Sequence, residues 1–182
     1  MKGIVFTEFF DFVEQQTSYE VVDAMLEQAD TPSGGVYSAT GKYEYQELAS
    51  LVTELSKIID TPVPLLLRSF GKYLMGRFSE LYPQFFESEN DSLALLEKVE
   101  NHVHVEVRKL YPDAELPTLD VVRQGPDDVM VRYISCRPLG DLAMGLIEGC
   151  AALFGDEVEL SMVKKDDGVH IGVSRQKRQV AA

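Results

Sequence analysis

The chain has 182 residues, 45% of them apolar and 26% charged, which is the usage of a folded domain long enough to bury a substantial core, and disorder is excluded. Seventeen Lys and Arg against thirty Asp and Glu give a net charge of -13, a field that repels nucleic acid and anionic membrane. Cys136 and Cys150 stand alone, without CxxC or CxxCH spacing, so free thiols are expected and a disulfide framework is excluded.

The opening "MKGIVF" reaches Glu8 and Asp11 before a signal-peptide core could form, and no apolar run approaches membrane-spanning length, so a cytoplasmic protein is expected. "VFTEFFDFVEQQ" repeats apolar residues at Val5, Phe6, Phe9, Phe10 and Val13, the spacing of a buried helical face. "SYEVVDAMLEQA" predicts a second helix with Ser18 as its cap. "DTPSGGVYSATGKYEY" reads as a loop. "YQELASLVTELSKIID" is an amphipathic helix that stops before Pro62 and Pro64, and "PLLLRSFGKYLMGRFSELYPQFF" is apolar nearly all round, so it is buried on most sides or lines a cavity.

From Leu119 the pattern shifts to short runs. "LDVVRQ" and "DVMVRYIS" around "GPDD" predict a hairpin, "LGDLAMGLIEGCAALFG" a helix ended by Gly155, and "EVELSMVK", "DDG" and "VHIGVSRQ" a second hairpin. The predicted fold class is α+β: a mostly helical amino-terminal lobe, then a lobe with a four-stranded antiparallel sheet and helices. Arg175, Lys177 and Arg178 form a basic cluster expected to be a frayed, solvated tail.

Between these halves, "NHVHVEVRKLYP" (101–112) has two incompatible readings. As a strand it would align His102, His104 and Glu106 as metal ligands, implying a non-haem metal enzyme. Yet "DSLALLEKVE" just upstream has a cap, good helix formers and no breaker before Pro112, which predicts a continuous helix. On it Leu96, Val99, Val103, Val107 and Leu110 form the core stripe, flanked by His102 and His104 at similar angles. Periodicity does not choose between the histidines, and a helical interaction adaptor without a cofactor fits as well.

Four features in order, "MKGIVF", "HVEVRKLYP" with a further proline at Pro117, "YISCR" (Y-x-S-x-R) and "GLIEGCAALF", closely resemble the H-NOX family over essentially the whole chain. These are haem-based nitric oxide and oxygen sensing domains of bacteria, related to the haem domain of the soluble guanylate cyclase β subunit. The resemblance implies one domain over 1–182, with a distal helical lobe at 1–62, a proximal lobe with the sheet at 63–182, and haem b between them. It selects His104 over His102 as the axial iron ligand. It gives Tyr133, Ser135 and Arg137, which alternation would put on one face of a strand, to the haem propionates. Pro117, thirteen positions after His104, matches the proline that presses on the porphyrin and distorts it.

The same resemblance lines the gas pocket with Val5, Phe9, Leu74, Phe78, Leu142 and Leu146. Oxygen-binding members carry a tyrosine where Leu142 stands. Bound dioxygen gains from a hydrogen-bond donor and nitric oxide and carbon monoxide far less, so a nitric oxide sensor that discriminates against oxygen is implied. Tyr73 neighbours Leu74 but should project about 100° away. Weakening of the iron bond to His104 would release its helix and signal to a separate histidine kinase or cyclic-di-GMP enzyme; no catalytic activity of its own is expected. No structural zinc is expected, since "VELSMVKKDDGVHIGV" offers only His170. Cys136, inside Y-x-S-x-R, is expected to be an inert thiol, with a response to oxidation as the lesser reading.

Overall fold

The computed structural model describes residues 1–87 and 89–176. Helices α1 (Gly3–Gln16), α2 (Tyr19–Gln28), α3 (Tyr45–Ile58) and α4 (Val63–Leu81) come first. A 3-10 turn (Pro83–Phe85) leads to α5 (Ser92–Lys98), a π-helical segment (Val99–Val103) and α6 (His104–Leu110). Strands β1 (Thr118–Arg123) and β2 (Asp128–Ile134), helix α7 (Gly140–Leu153), and strands β3 (Val158–Lys165) and β4 (Gly168–Arg175) complete the order. The α+β prediction and both hairpins are thus realised. No helix among the described residues is long and apolar enough to cross a membrane.

On α1, Phe6, Phe9 and Val13 are buried as the spacing predicts, together with Phe12, while Val5 and Phe10 are only half-buried. Phe10 turns instead toward Tyr37 of the loop after α2, at 5.6 Å between ring centres. Ser18 precedes α2 but its hydroxyl does not cap the helix. It bonds Glu20 and holds that carboxyl below the usual range, and only its carbonyl receives the first helical N–H groups. Asp91 does cap α5, accepting from the Ala94 N–H at 2.9 Å. The 29–44 loop clasps the amino terminus: Gly3 N–H donates to the Gly41 carbonyl at 2.8 Å and Tyr43 N–H to that of Met1 at 2.9 Å.

Helix α4 begins with Pro64 in its first turn, where a missing N–H costs nothing, and stops at Leu81, two residues before Pro83. It packs closely on α7, because glycines stand at the crossing. A Cβ on Gly71 would lie 2.3 Å from the Leu142 carbonyl oxygen, and one on Gly145 only 2.0 Å from that of Arg68. The Arg68–Glu148 ion pair spans the same two helices.

The sheet order is β1-β2-β4-β3, antiparallel throughout. Val131 pairs with Val121 on one side and Ile171 on the other, and Ile171 with Met162. Val129, Val131, Tyr133, Ile171 and Val173 face inward against Leu93, Leu96 and α7 in one buried cluster. A second cluster joins α1 to α3 with Leu66, Leu67, Phe70 and Leu74 of α4, so apolar packing continues across position 62. Arg175 is not frayed: it ends β4, its N–H donates to the Asp127 carbonyl at 2.7 Å and its guanidinium holds the Asp127 carboxylate at 2.9 Å. Lys177 and Arg178 lie outside the described residues.

Candidate functional site

Between the two clusters lies a cavity of about 310 Å³. Its walls come from the chain start, the carboxyl-terminal half of α4, the helical run from α5 to α6, the first hairpin and α7, and they are overwhelmingly apolar. Val5, Leu74, Phe78, His104, Pro117, Tyr133, Ser135, Arg137, Leu142 and Leu146 all reach it. Phe9 does not: it is wholly buried one layer behind, its ring edge-on to Phe70 at 5.1 Å. Phe9 lies four positions from Val5 and so shares its helical face, but α4 fills the space in front of it. Ile4, absent from the predicted set, lines the wall beside Val5. Tyr73 points away, accepting a hydrogen bond from Gln15 Nε2 at 3.1 Å.

The strand reading of 101–106 is overturned, since this stretch is helical throughout, but the helix is not uniform. In the π segment the His104 N–H donates to the Val99 carbonyl, five residues back instead of four. The wider turn shifts the phase of everything after it, which breaks the predicted symmetry: His104 is buried on the cavity wall and His102 is exposed. Leu96, Val99, Val103 and Val107 keep to the wall, whereas Leu110, predicted in the same stripe, is 55% exposed. Among the described residues no three His, Cys, Asp or Glu side chains converge as a metal site.

His104 is held from behind by Glu100, whose Oε2 lies 2.9 Å from Nδ1. Burial pushes the imidazole pKa down, against the opposing pull of Glu100, so the ring is neutral at neutral pH. Burial works against the Glu100 carboxylate too, but the Leu119 N–H, His104 and Arg108 together hold its carboxyl below the usual range. Since an ionised carboxylate only accepts, Nδ1 carries the ring proton and Nε2 keeps its lone pair. Nε2 has no hydrogen-bond partner among the described residues. Glu100 was missed in the sequence; its only signal was its place one helical turn before His104.

Tyr133, Ser135 and Arg137 come together at one rim, although only Tyr133 lies on β2. The strand ends at Ile134, and Ser135 and Arg137 sit in the bend after it, which corrects the expectation of three alternating strand positions. The bend is closed by the Arg137 N–H donating to Ser135 Oγ at 3.1 Å. Burial raises the Tyr133 pKa, keeping the hydroxyl protonated. The Arg137 guanidinium donates to the Glu115 carbonyl at 2.9 Å and pairs with its carboxylate, which also takes Lys42 Nζ at 2.6 Å. A carboxylate partner for Arg137 is therefore already part of this rim. Tyr82 and Tyr111, also on the wall, bond each other through their hydroxyls at 3.0 Å; they are 29 residues apart, and no local pattern could have joined them. Cys136 is exposed, Cys150 is buried with its thiol pushed up to about 12, and His170 pairs with Asp167 at 2.9 Å.

An apolar chamber with one preset imidazole and a cationic, hydroxyl-bearing rim is the mark of a domain built around a flat, amphipathic cofactor. The model of the haem-NO-binding family matches residues 2–162, and the chain belongs to that family, the H-NOX proteins. It is similar to the Fe(II) unliganded H-NOX protein from K. algicida, with 34% identity, all of both chains covered and a TM-score of 0.92. The IWP-051-bound H-NOX from Shewanella woodyi in the Fe(II)CO state is 37% identical over 100% of this chain and 97% of that one, with a TM-score of 0.83. The H-NOX protein from S. oneidensis in the Fe(II)NO state is 25% identical over 97% and 100%, at 0.89. None of the curated proteins matches this chain.

Proposed function

We propose that this chain is a haem-based sensor of nitric oxide and carbon monoxide that discriminates against oxygen and signals to a separate protein. The observation that carries the reading is His104: a neutral imidazole with Nδ1 bound to Glu100, Nε2 without a partner, and the ring on the wall of an otherwise apolar chamber. The residues fit a haem: apolar walls take the macrocycle, while Arg137, Ser135 and Tyr133 offer a cation and two hydroxyls to its propionates. Bound haem would be held through His104 Nε2 and would supply an iron able to bind a diatomic gas.

Gas selectivity would follow from what the helices offer. Val5, Leu74, Phe78, Leu142 and Leu146, the residues proposed to surround the bound gas, carry no hydrogen-bond donor in their side chains, and the bond between the Tyr82 and Tyr111 hydroxyls uses one of those two protons. A donor to the charge that dioxygen draws onto itself is worth roughly 1.5–3 kcal/mol, so its lack weakens oxygen on the order of 10 to 150-fold. Pro117 stands on the same wall, which supports its proposed role of pressing on the haem. The chain would act through movement, not catalysis. His104 is the first residue of α6, beside the irregular π segment, so a change in what Nε2 holds can shift this helix against the sheet. A partner must bind the two arrangements with different affinity for that shift to count as a signal, and a histidine kinase or cyclic-di-GMP enzyme is the proposed partner class.

The test is the visible spectrum of the ferrous, haem-loaded protein under argon, air, carbon monoxide and nitric oxide, for wild type, His104→Ala and His102→Ala. A haem absorption band that responds to carbon monoxide and nitric oxide but not to air is expected for wild type and His102→Ala, with haem binding lost in His104→Ala. A stable oxygen complex in wild type would overturn the selectivity, and an unaltered spectrum in His104→Ala would overturn the ligand.

A further inference from the structure

Glu100 does more than touch His104. Its Oε2 accepts from His104 Nδ1 at 2.9 Å and from the Leu119 backbone N–H of β1 at 3.0 Å, while Oε1 takes Arg108 Nη2 at 3.1 Å. The carboxylate is therefore anchored to the sheet, not only to the helix that carries it. That anchor matters, because a hydrogen bond that survives movement of the helix can steer the ring through the movement. A carboxylate at Nδ1 also pulls the proton away from the ring and makes the opposite nitrogen a stronger electron donor. A cation on the other carboxylate oxygen draws the same negative charge the other way.

We infer that Glu100 is the positioning residue for His104: it fixes the Nδ1–H tautomer, aims Nε2 into the chamber and strengthens its bond to iron, while Arg108 moderates that strength through the shared carboxylate. This rests on the reading of His104 as the haem ligand. The two side chains then act with opposite sign on one bond, which packing alone would not produce. Arg108 is 43% exposed at its side chain, so its removal leaves the core untouched.

The experiment is the iron–histidine stretching frequency of the ferrous holoprotein by resonance Raman, with haem affinity measured alongside, in wild type, Glu100→Gln, Arg108→Ala and His104→Ala. Expected are a lower frequency and roughly 10 to 100-fold weaker haem binding in Glu100→Gln, and a higher frequency in Arg108→Ala. An unmoved band in Glu100→Gln, or shifts of the same sign in both variants, overturns the inference. Should Glu100→Gln fail to fold, Arg108→Ala decides by itself: an upward shift supports the inference, and an unchanged or lower band overturns it. A band that survives in His104→Ala instead removes the ligand reading beneath it, which separates the two failures.

Discussion

Replacing Gly145 by Ala adds one methyl group at the tightest point of the α4–α7 crossing. The new Cβ would lie 2.0 Å from the Arg68 carbonyl oxygen, whereas ordinary contact begins at 3.4 Å, so the helices must part by about 1.4 Å. The obstacle is backbone, which cannot swing aside as a side chain would. Overpacking of this kind costs about 1–3 kcal/mol, and the upper end applies here; gaining a better helix former returns about 0.8–1 kcal/mol. The net loss is about 2 kcal/mol, which lowers the melting temperature of a chain this size by roughly 4–8 °C. Gly76 in α4 is the matched control, because a Cβ there meets nothing within 4 Å. Gly76→Ala should therefore stabilise, by about 0.5–1 kcal/mol. Thermal and urea unfolding of both variants measure the difference. A Gly145→Ala protein as stable as wild type would refute the view that the crossing distance is set by this glycine. Because Leu142 and Leu146 ride on the same helix, carbon monoxide binding rates should change in Gly145→Ala and stay unaltered in Gly76→Ala.

Two further outcomes are expected. Leu142→Tyr brings a hydroxyl to the chamber wall and should strengthen oxygen binding on the order of 10 to 150-fold; ferrous protein in air would then hold a stable oxygen complex, and an air spectrum matching wild type would count against the donor argument. In the loop after α2, burial, aided by the Glu47 carboxylate that its hydroxyl contacts at 2.9 Å, pushes Tyr37 up to about 12. The unfolded tyrosine titrates near 10, so above that pH the unfolded state loses its proton first. The stability Tyr37 contributes is thus complete below pH 10 and drains away as pH rises toward 12. Tyr37→Phe should lose less stability over this interval, as read from urea midpoints; an equal loss would assign the alkaline sensitivity elsewhere.

Much of this protein is determined by local chemistry that the sequence displays openly. Prolines at 62, 64 and 83 set helix limits, Asp91 marks the start of α5, and the change to short β-branched runs after Leu119 announces two hairpins, because these signals act within a few residues of one another. The resemblance in ordered motifs singled out His104 where periodicity left it tied with His102. What only the tertiary structure decided depends on contacts between distant segments. A wheel drawn at constant pitch cannot register the π turn that buries one histidine and exposes the other. Phe9 has the spacing of a wall residue, yet α4 covers it; Tyr82 finds Tyr111, Arg137 finds Glu115, and the backbone of Leu119 finds Glu100 across loops that no periodicity links. Helical pitch and capping are properties of a few neighbouring residues, whereas the reach of a side chain into a cavity is fixed by whatever the rest of the chain has already packed around it.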